Sequence, residues 1–289
     1  MFDHVEAFYR PSTIPEALRL LAKGGGRARF VAGGTDVVVQ ADRSIRFLVD
    51  ITRLGLNYIH QRRNGWLIGA ATTMAGLENS PAMLEFANGI LARAASTCGS
   101  VQNRNMATVG GNLANASPAA DLAEPLLALD AEVVVADSRG RRKIPLVDFF
   151  SGPRRTTLGK ALLVEIMVPT PPRGGHVEWS FQKLGRTESD ISLVNVAAGL
   201  QVDLRGCCKW ARIALGAVGP TPLRARTAEG RLVGQRLERD LLERVCDAAA
   251  REARPITDLR ASAEYRREMS RVLTRRALAE CAERAGYPL

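Results

Sequence analysis

The segment TVGGNLANASPAAD, residues 108–121, carries the strongest structural signal in this chain of 289 residues. Small residues dominate it, so a ligand could lie directly against the backbone. Four of its side chains offer hydroxyl, amide or carboxylate groups to a sugar or ribityl chain: Thr108, Asn112, Ser117 and Asp121. The wider segment 99–121 shows little helix or strand pattern, and long connections of this kind are usually functional. A purely structural loop is the alternative.

A second glycine pair lies near the start of the chain, in the segment VAGGTD at residues 31–36. Gly33 and Gly34 follow an apolar strand, so the backbone can turn sharply and present its N–H groups to an anion, while Thr35 adds a hydroxyl. The spacing matches neither GxGxxG nor GxxxxGK[ST], which excludes the nicotinamide Rossmann and Walker motifs. Alone, the segment could be a plain tight turn; together, two such segments favour an extended, phosphate-bearing ligand such as a dinucleotide.

Composition bounds the class of protein. The chain is 46% hydrophobic and 24% charged, as in soluble globular proteins, and no apolar run reaches the length of a membrane span. The beginning of the sequence is acidic and lacks the apolar region of a secretory signal, so we expect a cytoplasmic protein. A chain of this length is expected to form two or three compact units.

The formal charge of +10 raises the question of nucleic-acid binding. Arginine is dispersed through amphipathic segments and only 5% of residues are aromatic, so we predict no nucleic-acid partner. A face that docks an acidic subunit is one explanation for the charge. The five cysteines include no CxxC pair, which excludes the usual ligand pattern of an iron–sulfur cluster or a structural zinc in this chain. Metal ligands are therefore not predicted.

The pattern of elements predicts an α+β fold. The first third alternates short helices and strands, and Asn64-Gly65 marks a hairpin. The proline cluster at 169–172 indicates a boundary between a domain at residues 1–172, with subdomains at about 1–55 and 56–172, and a C-terminal domain at 173–289. The second domain is expected to contain a three-stranded antiparallel sheet followed by helices.

Several other groups of residues are expected to have structural rather than chemical roles. The histidines are scattered. The segment 185–190 is expected to form a solvated turn with an Asp–Arg pair, with a docking or flavin-edge loop as the alternative, and Cys207-Cys208 is expected to be buried or incidental. In the last helix, an apolar stripe is predicted to pack on the sheet or on a partner chain: Tyr265, Met269, Val272 and Leu273.

Four segments resemble the FAD-binding subunit of molybdenum hydroxylases, the xanthine dehydrogenase and carbon monoxide dehydrogenase family. They occur in the family's order and span nearly the whole chain: AGGTD at 32–36, GSVQNRNMATVGGNLANASPAADLAEPLLALDAEV at 99–133, DFFSGPRRTTL at 148–158 and FQKLGRTESDIS at 181–192. The TxGGNxxxxxPxxD element is specific. The resemblance implies the family's two-subdomain FAD-binding domain followed by its C-terminal domain.

The resemblance also implies the residues that bind FAD. In the family the first glycine segment wraps the pyrophosphate, and the second segment and later residues complete the site. The matching positions here are Val31, Ala32, Gly33, Gly34, Thr35, Asp36, Thr108, Gly110, Gly111, Asn112, Asp121, Leu163 and Lys183. Asp121 corresponds to the ribose- or adenine-side acid, Leu163 lies in the strand that backs the flavin, and Lys183 matches the flavin-proximal lysine, although its spacing to Asp190 differs by one residue from some members.

The implied function is electron transfer within a heteromeric complex. Electrons would come from the molybdenum cofactor on a large subunit, through two [2Fe–2S] clusters on a small subunit, and pass via FAD to NAD+, a quinone or oxygen. A dimer of heterotrimers is the expected assembly, and no residue of this chain is expected to be catalytic. Two alternatives are a self-contained FAD-dependent oxidase or dehydrogenase with its own substrate site, and a nucleotide-binding module without redox chemistry. The organic substrate is not encoded in this chain.

Overall fold

The structure, a computed structural model, describes residues 4–172 and 174–289. Residues 1–3 and Arg173, the predicted first residue of the C-terminal domain, lie outside the described residues. Three main sheets are built from consecutive parts of the chain.

The first part forms a small parallel sheet with two helices. Its elements are β1 (Ala7–Tyr9), α1 (Ile14–Gly24), β2 (Ala28–Val31), α2 (Thr35–Gln40) and β3 (Phe47–Asp50). The strand order is β1-β3-β2 and both pairings are parallel, so α1 provides the crossover between β1 and β2. The carboxyl end of β2 runs directly into the first glycine pair, at the edge of an open α/β sheet where ligands usually bind.

The second part contains a five-stranded antiparallel sheet and most of the short helices. Its elements are β4 (Ile59–Arg62), β5 (Gly65–Gly69), α3 (Met74–Glu78), α4 (Pro81–Glu85), α5 (Ile90–Ser96), α6 (Val101–Met106), α7 (Val109–Asn115), α8 (Ala123–Ala128), β6 (Glu132–Asp137), β7 (Gly140–Pro145), β8 (Phe150–Gly152), β9 (Arg155–Thr156) and β10 (Leu162–Pro169). The sheet order is β4-β5-β10-β6-β7, and β8 pairs with β9 separately. The predicted hairpin is present, with Arg62 paired to Gly65 so that Arg63-Asn64 form the turn.

The segment 99–121 corrects one expectation from the sequence, because it is not an irregular loop. Two short helices, α6 and α7, occupy most of it. The Ser100 hydroxyl accepts a hydrogen bond from the Asn103 N–H, and the Thr108 hydroxyl accepts one from the Gly111 N–H. These N-caps compensate for the poor helix propensity of the glycines and asparagines that hid the helices from a periodicity analysis.

The third part forms an antiparallel sheet covered by helices. Its elements are β11 (Glu178–Leu184), β12 (Val194–Val202), β13 (Cys208–Gly216), β14 (Leu223–Arg224), α9 (Arg226–Leu232), α10 (Arg239–Glu252) and α11 (Ala263–Arg284). The three predicted strands are present in the predicted order, and the two-residue strand β14 extends the sheet beside β13.

Within the predicted apolar stripe of α11, Leu273 is buried, whereas Tyr265 is 45% exposed and does not pack on the sheet. The neighbouring Arg266 is buried instead, at 2% exposure. Its guanidinium donates hydrogen bonds to the carbonyls of Leu193 and Ala217 and to the Asp258 carboxylate. A charged side chain is therefore accommodated on the inner face of the helix because its donors find partners there, and hydrophobicity alone could not indicate this.

The main core runs across the junction between the second and third parts. One cluster combines residues of the five-stranded sheet and of α3, α4, α5, α7 and α8 with residues from one face of the last sheet, including Trp179, Phe181, Ala197 and Ala214. A second cluster lies between the opposite face of that sheet and α9–α11. Helix α8 thus packs directly on β12 and β13. Among the described residues, no helix has the length and apolarity that a bilayer crossing requires.

Candidate functional site

A cleft of about 750 Å³ lies beside the carboxyl end of β2. Its walls come from four stretches of chain: residues 21–39 from the end of α1 into α2, residues 98–121, residues 154–161 before β10, and residues 189–191 between β11 and β12. The volume lies within the roughly 300–1,000 Å³ typical of small-molecule sites. Both predicted glycine segments line this cleft, although about 70 residues of sequence separate them.

The first glycine pair has two separate structural roles. Gly34 has a φ of 73° and is the N-cap of α2, a left-handed conformation that favours glycine. Gly33 packs against the second segment, since a Cβ at this position would lie 1.6 Å from the Met106 carbonyl oxygen. The N–H groups of the first turn of α2 have no partners within the helix and stand at the cleft wall.

The two glycines of the second pair also have different roles: Gly110 permits close packing, and Gly111 lines the cleft. Gly110 is buried against Ala70, where a Cβ would lie 2.6 Å from the alanine Cβ. Gly111 faces the cleft, and its N–H donates to the Thr108 hydroxyl oxygen at 3.0 Å. The predicted ligand partner Thr108 is therefore first of all the N-cap of α7.

A chain of side-chain hydrogen bonds joins the two glycine segments. Asn115 at the end of α7 donates to Asp36 at 2.9 Å and accepts from Gln40 at 2.8 Å, and Gln40 in turn accepts from Arg29. Burial raises the pKa of the Asp36 carboxyl, and the charges of Arg154 and Arg29 partly oppose that rise. The network fixes the distance between α2 and α7 across the cleft.

Asp121 lies at the floor of the cleft and is fully engaged by donors. Its Oδ2 is 2.7 Å from Lys183 Nζ, and both side chains are 7% exposed. Its Oδ1 accepts hydrogen bonds from the Ser192 hydroxyl and from Asn195 Nδ2 at 3.1 Å. Lys183 donates a further bond to the Thr97 carbonyl at 2.7 Å. The carboxylate thus binds the second part of the chain to the last sheet, and helix α8 has no side-chain N-cap bond.

The structure brings most, but not all, of the predicted site residues to the cleft. Those that line it are Val31, Ala32, Gly33, Gly34, Thr35, Asp36, Thr108, Gly111, Asn112 and Asp121. Gly110 lies behind the wall, Leu163 is buried in β10 at 4% exposure, and Lys183 contacts the cleft through Asp121 and lines a neighbouring cavity of about 510 Å³. These three residues support the site from behind.

Several lining residues were not singled out from the sequence. Arg29, Arg154 and Lys160 give the cleft positive charge, while Cys98 and Ile191 lie at its wall. Arg154 and the neighbouring lining residues fall within or beside the quoted segment 148–158, so attention to its basic residues could have identified them. Burial raises the pKa of the Cys98 thiol to about 11.

One buried polar atom in the cleft has no protein partner. Asn112 Oδ1 is enclosed, and no donor from the described residues reaches it. Buried acceptors are normally hydrogen-bonded, so this atom fits a ligand that brings an N–H or O–H group. The described residues contain no cluster of histidine, cysteine and acidic side chains that could hold a metal ion.

The remaining predicted features also have structural counterparts. The turn at 185–190 carries the expected ion pair, with Arg186 Nε 3.3 Å from Asp190 Oδ2, and both side chains are partly exposed. All five cysteines are free thiols. Cys208 is buried as expected, whereas Cys207 is only half-buried.

Comparison with known families divides the chain into two matched regions. Residues 2–171 match the family described as FAD binding domain in molybdopterin dehydrogenase. Residues 179–281 match the family described as CO dehydrogenase flavoprotein C-terminal domain. The expected fold class, a two-subdomain FAD-binding domain followed by a C-terminal sheet and helices, is confirmed.

Individual relatives cover the chain from end to end. The glyceraldehyde dehydrogenase medium chain of Sulfolobus acidocaldarius is 32% identical over 287 residues, which are 98% of this chain and 100% of the relative. The xanthine dehydrogenase FAD-binding subunit of Escherichia coli O157:H7 is 33% identical over 296 residues, with 100% of both chains covered. A solved carbon monoxide dehydrogenase from Hydrogenophaga pseudoflava matches with a TM-score of 0.91 and 31% identity, covering 97% of this chain and 98% of that one. The chain therefore belongs to the FAD-binding subunits of the molybdenum hydroxylases, in the xanthine dehydrogenase and carbon monoxide dehydrogenase family.

Proposed function

We propose that this chain holds FAD in the 750 Å³ cleft and serves as the electron-transfer subunit of a molybdenum hydroxylase complex. The observation that carries the proposal is the convergence of both glycine segments on one cleft whose wall contains the unpartnered Asn112 Oδ1. FAD, when bound, would supply a centre that accepts electrons singly and releases them in pairs. The chain itself supplies binding, orientation and electrostatics.

The pyrophosphate is assigned to the first glycine segment. Gly34, Thr35 and Asp36 line the cleft at the start of α2, where the N–H groups of the first turn have no partners within the helix and can donate to an anion. Arg154 and Arg29 add positive charge to the same wall, as their effect on the Asp36 pKa shows. Asn112 Oδ1 would accept a hydrogen bond from a hydroxyl or amino group of the cofactor.

Gly110, Leu163 and Lys183 lie behind the wall of the cleft and would support the FAD site without lining it. Leu163 of β10 belongs to the same apolar cluster as Val109 and Leu113 of α7, and Gly110 allows α7 to lie close to Ala70. Lys183 holds the Asp121 carboxylate, so its influence on the flavin is exerted through that acid. Asp121 lines the cleft and would lie beside the cofactor.

The complex is proposed on the names of the relatives. One solved relative is described as a carbon monoxide dehydrogenase that lacks the Mo-pyranopterin moiety of the molybdenum cofactor, and another as a Cu,Mo-CO dehydrogenase. Relatives in sequence are named as a medium chain or an FAD-binding subunit. A large molybdenum-cofactor subunit and a small subunit with two [2Fe–2S] clusters would complete the assembly, as a dimer of heterotrimers. The electron acceptor would be NAD+, a quinone or oxygen. We place the complex in the cytoplasm, where the five free thiols would stay reduced.

The domain boundary near residue 172 also remains a proposal. Its support is that the two matched family regions end and begin on either side of it, at 171 and 179.

Purification of the isolated chain tests the proposed function. The protein should be yellow from bound FAD, contain no iron or molybdenum, and fail to oxidise purines, aldehydes or heteroaromatic compounds. After chemical reduction it should pass electrons to a dye, because the flavin reacts without the molybdenum centre. A colourless protein that does not take up added FAD would refute the FAD assignment. Turnover of an organic substrate by the chain alone would instead support a self-contained oxidase.

A further inference from the structure

Behind Asp121 lies a second acidic side chain, Glu124, which is completely buried in α8. Neither of its carboxyl oxygens has a hydrogen-bond partner among the described residues. Asn195 Oδ1 is also buried and also has none. Three unpartnered acceptor oxygens therefore meet in one place, which is an energetically costly arrangement unless one of them carries a proton.

The position of Gly216 sets an upper limit on the distance between the Glu124 and Asn195 oxygens. Gly216 in β13 is paired with Asn195 in β12. A Cβ on Gly216 would lie 2.0 Å from Asn195 Oδ1 and 2.0 Å from Glu124 Oε1, so the two oxygens are at most 4.0 Å apart. The glycine closes this pocket so tightly that a methyl group does not fit. The acid and the amide therefore face each other directly.

The orientation of the Asn195 amide decides which group carries the proton. Its Nδ2 donates to Asp121 Oδ1 at 3.1 Å, and this leaves Oδ1 facing Glu124. The opposite orientation would place Oδ1 against the Asp121 carboxylate, an acceptor facing an acceptor, and would bury a second anion at Glu124. The observed orientation requires a donor on the Glu124 side.

The charges around the cluster favour the same arrangement. Burial is the largest effect and raises the pKa of the Glu124 carboxyl well above its ordinary value. The charge of Asp121 raises this pKa further, while the Glu124 backbone N–H, the Asn195 side chain and Lys183 lower it. Lys183 already lies 2.7 Å from Asp121, so this buried cation is paired with the other acid.

We propose that Glu124 is a neutral carboxylic acid that donates a hydrogen bond to Asn195 Oδ1 and thereby holds the Asp121–Lys183 pair in position at the floor of the FAD cleft. The chain of contacts runs from Glu124 through Asn195 to Asp121, which lines the cleft. Glu124 is a positioning residue and does not touch the cofactor. The link to FAD rests on the proposed function of the cleft, whereas the protonation of Glu124 does not.

Infrared spectroscopy of the full chain at neutral pH tests the protonation directly. The difference spectrum between the native protein and Glu124→Gln should contain the C=O band of a protonated carboxylic acid that shifts in D2O. Glu229→Gln is the matched control, since Glu229 is 7% exposed and salt-bridged to Arg224, so its loss should remove carboxylate bands. Carboxylate bands in the Glu124 difference spectrum would overturn the proposal.

FAD titration tests the positioning role. Glu124→Leu keeps the volume but removes the donor, and we expect the FAD Kd to rise about tenfold. Glu124→Gln restores a donor to Asn195 Oδ1 and should bring the Kd back to within about twofold of the native value, a rescue that the volume of the side chain alone would not give. Equal losses in both variants would refute the role. Failure of the native chain to bind FAD would instead refute the function of the cleft, and the infrared result would stand independently.

Discussion

The backbone of Gly33 touches the carbonyl of Met106, and a Cβ on residue 33 would lie 1.6 Å from that oxygen. The contact joins the carboxyl end of β2 to the residue that ends α6. Since the two glycine segments form opposite parts of one cleft, their separation depends on the missing side chain.

Gly33→Ala is therefore expected to force the two segments apart and to lower both stability and FAD content. We expect a loss of about 1–3 kcal/mol in the free energy of unfolding, because the neighbouring atom belongs to backbone and cannot rotate away. Gly230→Ala is the matched control. A Cβ at Gly230 meets nothing within 4 Å, so that variant should be as stable as the native chain or slightly more so. Urea titrations of both variants and their flavin absorbance give the comparison, and a fully flavinated Gly33→Ala protein would contradict it.

Gly111→Val is expected to abolish FAD retention without unfolding the chain. Gly111 lines the cleft, and no described atom other than the Thr108 hydroxyl oxygen, at 2.9 Å, lies within 4 Å of a Cβ placed there, so the branched side chain would occupy the space for the ligand once that hydroxyl has shifted. Gly110→Ala should behave differently and destabilise the fold, since its Cβ would enter the contact with Ala70. Flavin content and the thermal unfolding midpoint separate the two effects. A folded Gly111→Val protein with stoichiometric FAD would show that the assignment of the cleft is wrong.

Asp121→Asn is expected to reduce stability by about 3–5 kcal/mol, because it leaves the buried Lys183 ammonium without its counter-ion. FAD affinity should fall as well, by about 1–3 kcal/mol, since the floor of the cleft loses its anchor. The double variant Asp121→Asn with Lys183→Met should be less destabilised than the sum of the two single changes, because it removes the uncompensated charge. Chemical denaturation of the three variants measures this coupling, and additive losses would argue against a functional ion pair.

Cys98 is expected to react slowly with iodoacetamide at pH 8. Its pKa of about 11, against 9.0 for an ordinary thiol, lowers the thiolate fraction by about a hundredfold. Because the thiol ionises first in the unfolded chain, its contribution to stability is present below pH 9 and is lost as the pH rises through 11. Mass spectrometry can follow alkylation with the half-buried Cys207 as an internal reference. Added FAD should slow the reaction at Cys98 further; equal rates at both thiols, with no protection, would contradict its place in the cleft wall.

The sequence predicted the parts of the site that consist of backbone, because glycine pairs after apolar runs indicate sharp turns and close approach. It did not predict that Thr108 caps a helix, since the cap is visible only once α7 is recognised as a helix. Nor did it predict the reason for Lys183: the ion pair with Asp121 joins residues 62 positions apart, and no local pattern records such a contact.

The burial of Arg266 is a second feature that the sequence did not predict. Hydrophobic periodicity placed Tyr265 in a stripe that packs on the sheet or on a partner chain. On the face toward the sheet, the carbonyls of Leu193 and Ala217 instead make the position one residue later favourable for a guanidinium. Those acceptors come from other parts of the chain. Side-chain partners brought together by the tertiary fold are therefore the part of this molecule that sequence reasoning missed most often.

One apolar cluster is shared by the five-stranded sheet, α8 and the last sheet. The two regions that match separate families therefore fold around a common core. The two matched families meet between 171 and 179, yet Trp179 and Phe181 beyond that seam are packed into the core before it. A fragment that ends at residue 172 would expose the surface these side chains cover and would aggregate rather than fold as a smaller flavoprotein. Replacing either region by an unrelated domain would therefore require new side chains on the apolar surface where the two regions meet.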